Sequence, residues 1–352
     1  MKKSVLTHAA LGVAMVFTLT LNTVVHAAPP GGKFTKQPVA TQFDRSLNYV
    51  PPEQLPIVDR AAGLSEMEMR QRMTAVAVTP EGETYQAEVT AEDMAIFENA
   101  LSEISESYQG KKRDTKKSPR RGVAPEVNAT SNGVNAESVI GTDQRVQVFS
   151  TTTYPWRAVG RIAVGCTGTL IGPRHVLTAG HCVYNIANNQ WYSNLNFTPG
   201  KNGNSNPYGT IAWSSAITTT GWTVNHDRNH DYAMIILGSH IGNTVGWLGY
   251  GYNNSLPYYT VNINGYPGDK PFGTLWHSNC TLAIIQTYRL YYPCDTYNGM
   301  SGSGVYAYFP ATSSRIIYGI HAYGVDSTGY NGATRITSDV YSRLNNWISA
   351  NP

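Results

Sequence analysis

From Ser138 to the end of this 352-residue chain there is not one glutamate. All twelve glutamates of the sequence lie before that point, the last at position 137. The carboxylates beyond it are seven aspartates, Asp143, Asp227, Asp231, Asp269, Asp295, Asp326 and Asp339. Glutamate is among the commonest residues, and a domain of this size is expected to hold roughly a dozen. Other scarcities exclude whole classes. Only four cysteines are present, and none has the Cys-x-x-Cys spacing of a zinc site. No apolar run after the first 28 residues is long enough to cross a bilayer. The net charge of +3 comes with no long basic cluster in the C-terminal part, which argues against nucleic-acid binding. No Gly-x-Ser-x-Gly surrounds Ser301 or Ser303, so a nucleophile elbow is absent. His226 and His230 have i,i+4 spacing, but Asp227 stands where a zincin requires glutamate.

What is present falls into three parts. Residues 1–28 read as a secretory signal: a basic "MKK", an apolar run from Ala9 to Val25, and small residues before a cut near Ala27 or Ala28. Residues 29–137 are charged and polar and read as a prosegment. Within it "TAEDMAIFENALSEISESY" has a helical pattern, with Thr90 as cap and Met94, Phe97, Leu101 and Ile104 on one face. The basic, Pro-containing run Lys111–Arg121 reads as an exposed tether. From 138 to 352 the texture changes to short apolar or alternating runs such as "RVQVF", "TGTLIG", "YAMIIL" and "RIIYGIHAY", separated by Gly, Asn, Pro and Ser. That is the pattern of an all-β barrel or sandwich. Only "SDVYSRLNNWISA" at the end is helical in pattern, with Ser338 or Asp339 as cap and Val340, Leu344 and Ile348 on one face. An exported chain can oxidise its cysteines. Four cysteines allow three pairings; the two local loops, Cys166–Cys182 and Cys280–Cys294, are expected.

Three contexts carry chemistry. "LTAGHCVY" places His181 after an apolar strand, "HDYAMIIL" places Asp231 just before one, and "GMSGSG" sets Ser301 among glycines. A serine hydroxyl is a poor nucleophile at neutral pH. It needs an imidazole to take its proton and a buried carboxylate to orient that imidazole. The chain order His, Asp, Ser is that of chymotrypsin-type enzymes. "CTGTLIGPRHVLTAGHCVY" and "DTYNGMSGSGVY" resemble a chymotrypsin-like serine protease, and more narrowly are similar to the secreted bacterial glutamyl endopeptidases. The resemblance covers 138–352. It implies two six-stranded antiparallel barrels and a C-terminal helix. It implies His181 as base, Asp231 as its orienter, Ser301 as nucleophile, and an oxyanion hole from the N–H groups of Gly299 and Ser301. One such donor typically contributes roughly 3–4 kcal/mol. It also implies that Cys166–Cys182 clamps the histidine loop, closing about 15 residues at roughly 3 kcal/mol in the chain-entropy account. Two residues depart from the family pattern: Met300 precedes the serine where a polar residue is expected, and Gly304 replaces a proline. Methionine cannot pair with a new N-terminus but can fill space behind the loop.

The missing glutamates now acquire a meaning. A β-rich extracellular composition depletes glutamate but rarely to zero, whereas an enzyme that cuts after glutamate is selected to lack it. By the resemblance, His321 and Thr296 bind the substrate carboxylate, and the backbone from Ala322 to Gly324 pairs with the substrate chain. A carboxylate beside a histidine favours its charged form. The sequence therefore leads to a secreted, monomeric glutamate-specific serine endopeptidase acting on proteins or peptides, without cofactor, membrane or nucleic-acid partner. Activation is expected at Glu137–Ser138. A structural calcium site is not readable from the sequence. The alternatives are a protease of other or broader specificity and an inactive homologue serving as a binding module.

Overall fold

The computed structural model describes residues 34–37, 42–44, 64–87, 89–91, 93–96, 98 and 139–352. The expected leader, the Lys111–Arg121 run and the Glu137–Ser138 bond lie outside them. Two antiparallel sheets carry the 139–352 part. In the first, six strands follow the order Trp213–Thr219, Ala233–Leu237, His175–Thr178, Thr167–Leu170, Val159–Ile162, Phe197–Pro199. Their apolar and β-branched residues suit a pleated surface, and every residue of Ala233–Leu237 is buried. The second sheet has six longer strands, Arg289–Tyr292, Asn331–Arg335, Ser314–Tyr323, Gly304–Phe309, Thr260–Gly265 and Leu275–Thr281. Short end strands, Ile284–Ile285 and Val146–Val148, extend it beyond the expected six. Gly249–Tyr250 adds a parallel bridge to Ser314–Tyr323. The architecture is chymotrypsin-like; one core fills the first sheet and reaches Tyr306, Ile317 and Ile320 of the second across the seam, and a separate core lies within the second. Met300 belongs to the core of the second, with Leu256, Val261, Ile263, Leu290 and Tyr292.

The C-terminal helix spans Ser338–Ser349 and buries Val340, Leu344 and Trp347. Its N-cap residue is Thr337, one before the expected pair. Ser338 and Asp339 already lie in the first turn, where the Asp339 carboxylate favours the positive helix end.

The N-terminal part holds more structure than its polar composition announces. A hairpin, Ala75–Val78 with Thr84–Ala87, lays its first strand antiparallel to Trp213–Thr219. Phe34–Lys36 pairs with the second strand, so three strands extend the edge of the first sheet. A helix, Glu66–Met73, begins at a capping box of Ser65 and Glu68. Arg72 pairs with Asp227, the Arg343 guanidinium donates to the Met73 carbonyl (3.1 Å), and the Thr220 N–H donates to the Thr74 carbonyl (2.9 Å). The helix expected from Thr90 is seen at 91, 93–96 and 98. It too starts at a reciprocal cap: the Asp93 N–H donates to Thr90 Oγ1 (3.2 Å) and the Thr90 N–H to Asp93 Oδ2 (2.8 Å).

Candidate active site

Strand ends deliver the three motif residues. His175–Thr178 runs into a 3-10 turn, Gly180–Cys182, which carries His181. The Cys166–Cys182 disulfide ties that turn to the neighbouring strand; the second expected bridge, Cys280–Cys294, is also formed. Asp231 follows another 3-10 turn, Arg228–His230, which Asp227 caps by accepting the Asn229 N–H. Ser301 lies between two glycines with positive φ, Gly299 at 99° and Gly302 at 88°. Neither glycine is replaceable. A Cβ on Gly299 would sit 2.4 Å from the Tyr266 carbonyl oxygen, and one on Gly302 would sit 2.1 Å from both the Thr167 carbonyl oxygen and Thr178 Oγ1.

Hydrogen bonds bring these turns together at the seam of the two barrels. Asp231 Oδ2 lies 2.9 Å from His181 Nδ1, and Oδ1 accepts the His181 backbone N–H at 2.9 Å. Asp231 is fully buried, and its carbonyl accepts from Thr334 Oγ1 at 3.0 Å. From the first barrel, the Thr167 N–H donates to the Ser301 carbonyl (2.9 Å) and Thr167 Oγ1 to the Gly299 carbonyl (2.7 Å). From the second, the His321 carbonyl accepts the Gly302 N–H (2.7 Å), and the His321 N–H donates to the Ser303 carbonyl (2.9 Å). The Met300 N–H is used by the Tyr297 carbonyl. The N–H groups of Gly299 and Ser301 alternate with those of Met300 and Gly302 along the turn.

His321 is buried, with Nδ1 2.8 Å from the Tyr292 hydroxyl. Burial holds its pKa down at about 3; the neighbouring His181 acts in the same direction, and a hydrogen bond to the Gly332 backbone opposes them. His321 is thus neutral at physiological pH. Thr296 is fully buried, and its Oγ1 has no hydrogen-bond partner among the described residues. An orphaned buried hydroxyl carries a desolvation cost that an incoming acceptor would relieve. Ala322 is buried and Gly324 half-buried.

Several contributors left no mark in the sequence reading. Tyr292 orients His321, and Thr334 holds the Asp231 backbone. The Tyr323 hydroxyl donates to the Arg228 carbonyl (2.9 Å). The Asp295 carboxylate, next to Thr296, accepts the N–H groups of Ile140 (2.8 Å) and Gln144 (2.7 Å). It anchors the start of the 139–352 part to the segment that leads into the Ser301 turn. Asp295 opens the serine motif but shows no sign of this role there; each of these residues works through a partner far along the chain. One cluster of three residues of metal-ligating type occurs among the described residues, Cys166, His181 and Cys182. Its two sulfurs are joined to each other, which does not suit thiolate ligation.

Comparisons with known proteins bear on the family and the fold. The trypsin family model matches residues 144–348. A glutamyl endopeptidase of Bacillus licheniformis is 39% identical over 275 residues, covering 75% of this chain and 83% of that protein. A Bacillus subtilis protein named extracellular metalloprotease is 38% identical over 258 residues, covering 70% and 80%. A solved structure of a Glu endopeptidase in complex with MPD superposes with a TM-score of 0.56 at 32% identity, covering 60% of this chain and 99% of that one. The chain belongs to the trypsin family, in the branch that holds the bacterial glutamyl endopeptidases, and is a serine endopeptidase.

Proposed function

We propose that this chain is made as a secreted preproenzyme and hydrolyses peptide bonds on the carboxyl side of glutamate, more weakly after aspartate. The observation that carries the specificity is compositional: a 215-residue part, 138–352, without one glutamate. His181 takes the proton of the Ser301 hydroxyl as it attacks the carbonyl carbon. Asp231 fixes the imidazole tautomer and stabilises the imidazolium. The N–H groups of Gly299 and Ser301 stabilise the developing oxyanion. His181 then protonates the leaving amine, and water repeats the sequence on the acyl-enzyme. The backbone of Ala322 and Gly324 pairs with the substrate strand.

In the pocket, Thr296 Oγ1 donates to the glutamate carboxylate and His321 is its positive partner. A negative charge brought out of water is costly unless paired. The substrate carboxylate pulls the His321 pKa up from about 3, because opposite charge favours the protonated form. The sign follows: the charged pair is present below the raised value and lost as pH rises through it. The base His181 must be neutral, so activity on glutamyl peptides is bell-shaped, with His321 contributing to the alkaline limb. His321→Ala is expected to lower kcat/KM for Glu peptides by about tenfold to a hundredfold more than for matched Gln peptides. Steady-state kinetics on such pairs test this; a variant that discriminates Glu from Gln as well as the parent removes His321 from the pocket.

Activation is the cut at Glu137–Ser138. Ile140, just beyond it, is tied to Asp295 beside the pocket. Contacts from the described N-terminal residues fall on the Trp213–Thr219 edge, on Asp227, on the C-terminal helix through Arg343, and on Gln190–Tyr192 through Phe43–Asp44. That placement favours a segment that assists folding of the first barrel over one that plugs the pocket. N-terminal sequencing of the secreted protein is expected to begin at Ser138; a mature chain starting far from it overturns the assignment.

A further inference from the structure

Two cations share one exposed ring on a wall of the site to which the proposed mechanism gives no role. The Arg161 guanidinium carbon lies 4.6 Å from the centroid of Phe272, and Lys201 Nζ lies 5.7 Å from the same centroid. Phe272 is 67% exposed, whereas Lys201 is only 9% exposed and Arg161 is half-buried. The Lys201 ammonium donates to the Asn206 side-chain carbonyl (2.8 Å). The nearby carboxylates are committed elsewhere: Asp269 to Arg145, and Asp143 to Arg145 and Lys270. Among the described residues no carboxylate is ion-paired with Arg161 or Lys201. Burial lowers the pKa of both cations, and the charge of Arg161 lowers that of Lys201 further. Partly desolvated like charges beside each other are unfavourable until an anion joins them.

Their place in the fold says which anion they meet. The Ser301 turn stands between two walls. One is the Ser314–Tyr323 strand, which takes the acyl half of the substrate in the proposed binding mode. The other is the Thr167 strand with the Tyr266–Gly268 segment, and in the same proposed binding mode the leaving half of the substrate, on the far side of Ser301, passes along it. Arg161 is the cross-strand partner of Thr167, which holds the carbonyls of Ser301 and Gly299. The Gly268 N–H donates to the Asn298 carbonyl (2.7 Å), and Phe272 follows four residues later. The Tyr266 hydroxyl donates to the Lys201 carbonyl (3.2 Å).

We infer that Arg161, Lys201 and Phe272 form a subsite on the leaving-group side that takes an acidic substrate side chain two to four residues beyond the cleaved bond. The inference rests on the proposed cleavage after glutamate and on the strand-paired substrate. Phe272 offers the methylene stem of such a side chain an apolar surface, and the cations take its carboxylate.

Internally quenched peptides with one Glu, followed at the second, third or fourth downstream position by Asp or by Asn, test it. Mass spectrometry confirms the bond cut. The parent is expected to show about a five- to tenfold higher kcat/KM for Asp over Asn at one of these positions, shrinking as ionic strength rises. In a double R161Q/K201Q variant the ratio falls to near one, while Arg161→Lys, which keeps the charge, retains most of it. Thermal melts check that each variant is folded. No Asp preference in the parent at any of the three positions overturns the subsite without needing a variant. So does a ratio that survives the double substitution. Peptides left uncut after Glu overturn the specificity reading itself, and the subsite with it; that result shows before any ratio is taken.

Discussion

Ser301→Ala is expected to lower kcat by about 10⁶-fold, the scale found when a nucleophile of this kind is removed, while the barrels stay folded. Backbone atoms hold the turn: the Ser301 carbonyl to the Thr167 N–H, the Gly302 N–H to the His321 carbonyl, and Thr167 Oγ1 to the Gly299 carbonyl. None depends on the deleted oxygen, so the melting temperature should move little. Ser303, two residues on, makes the comparison sharp. Its hydroxyl is fully buried and donates to the Met300 carbonyl at 2.6 Å, which is a structural contact. Turnover of a glutamyl peptide and a thermal melt, measured on both variants, decide between them. Near-normal turnover in well-folded Ser301→Ala would mean that the nucleophile lies elsewhere.

Asp231→Asn is expected to cost about 10⁴-fold in kcat with the fold retained. Both carboxylate oxygens are used: Oδ1 accepts the His181 backbone N–H and Oδ2 faces Nδ1. An amide has one acceptor and one donor end. Whichever way it turns, it loses the backbone bond or presents N–H to Nδ1, forcing the tautomer that cannot take the serine proton. The imidazolium formed during turnover also loses its buried counter-charge. A loss smaller than tenfold, in a variant whose melting temperature matches the parent, would remove Asp231 from the reaction.

Met300 shows why a departure from the family pattern need not be a defect. It is fully buried and packs in the core of the second barrel. Where an aspartate would need a partner, methionine fills space beside Gly265; a Cβ on Gly265 would lie 3.0 Å from the Met300 side chain. The Ser301 turn is braced by Thr167 and His321 instead. The nearby acidic anchor is Asp295, and it holds backbone N–H groups of Ile140 and Gln144.

The β class, the C-terminal helix, both disulfides and the residues around His181, Asp231 and Ser301 were legible in the sequence, because each is written locally. Alternating apolar residues, a cap, and a glycine on either side of a serine are short-range signals. Less was legible before Ser138. "AVAV" is too short in polar surroundings to announce a strand, and it becomes one only because Trp213–Thr219 offers it a free edge. The charge state of His321 was not legible either. A free histidine titrates near neutral pH, and only burial, with His181 beside it, holds His321 far below that range. Thr334 on the Asp231 carbonyl joins positions 103 residues apart, and Asp295 on the Ile140 N–H joins positions 155 apart. The sequence alone determined which residues could do the chemistry, since nucleophile, base and turn are properties of residue type and near neighbours. Only the tertiary structure decided which of them are desolvated, oriented and charged, since burial and long-range hydrogen bonds exist only once the two barrels have closed on one another.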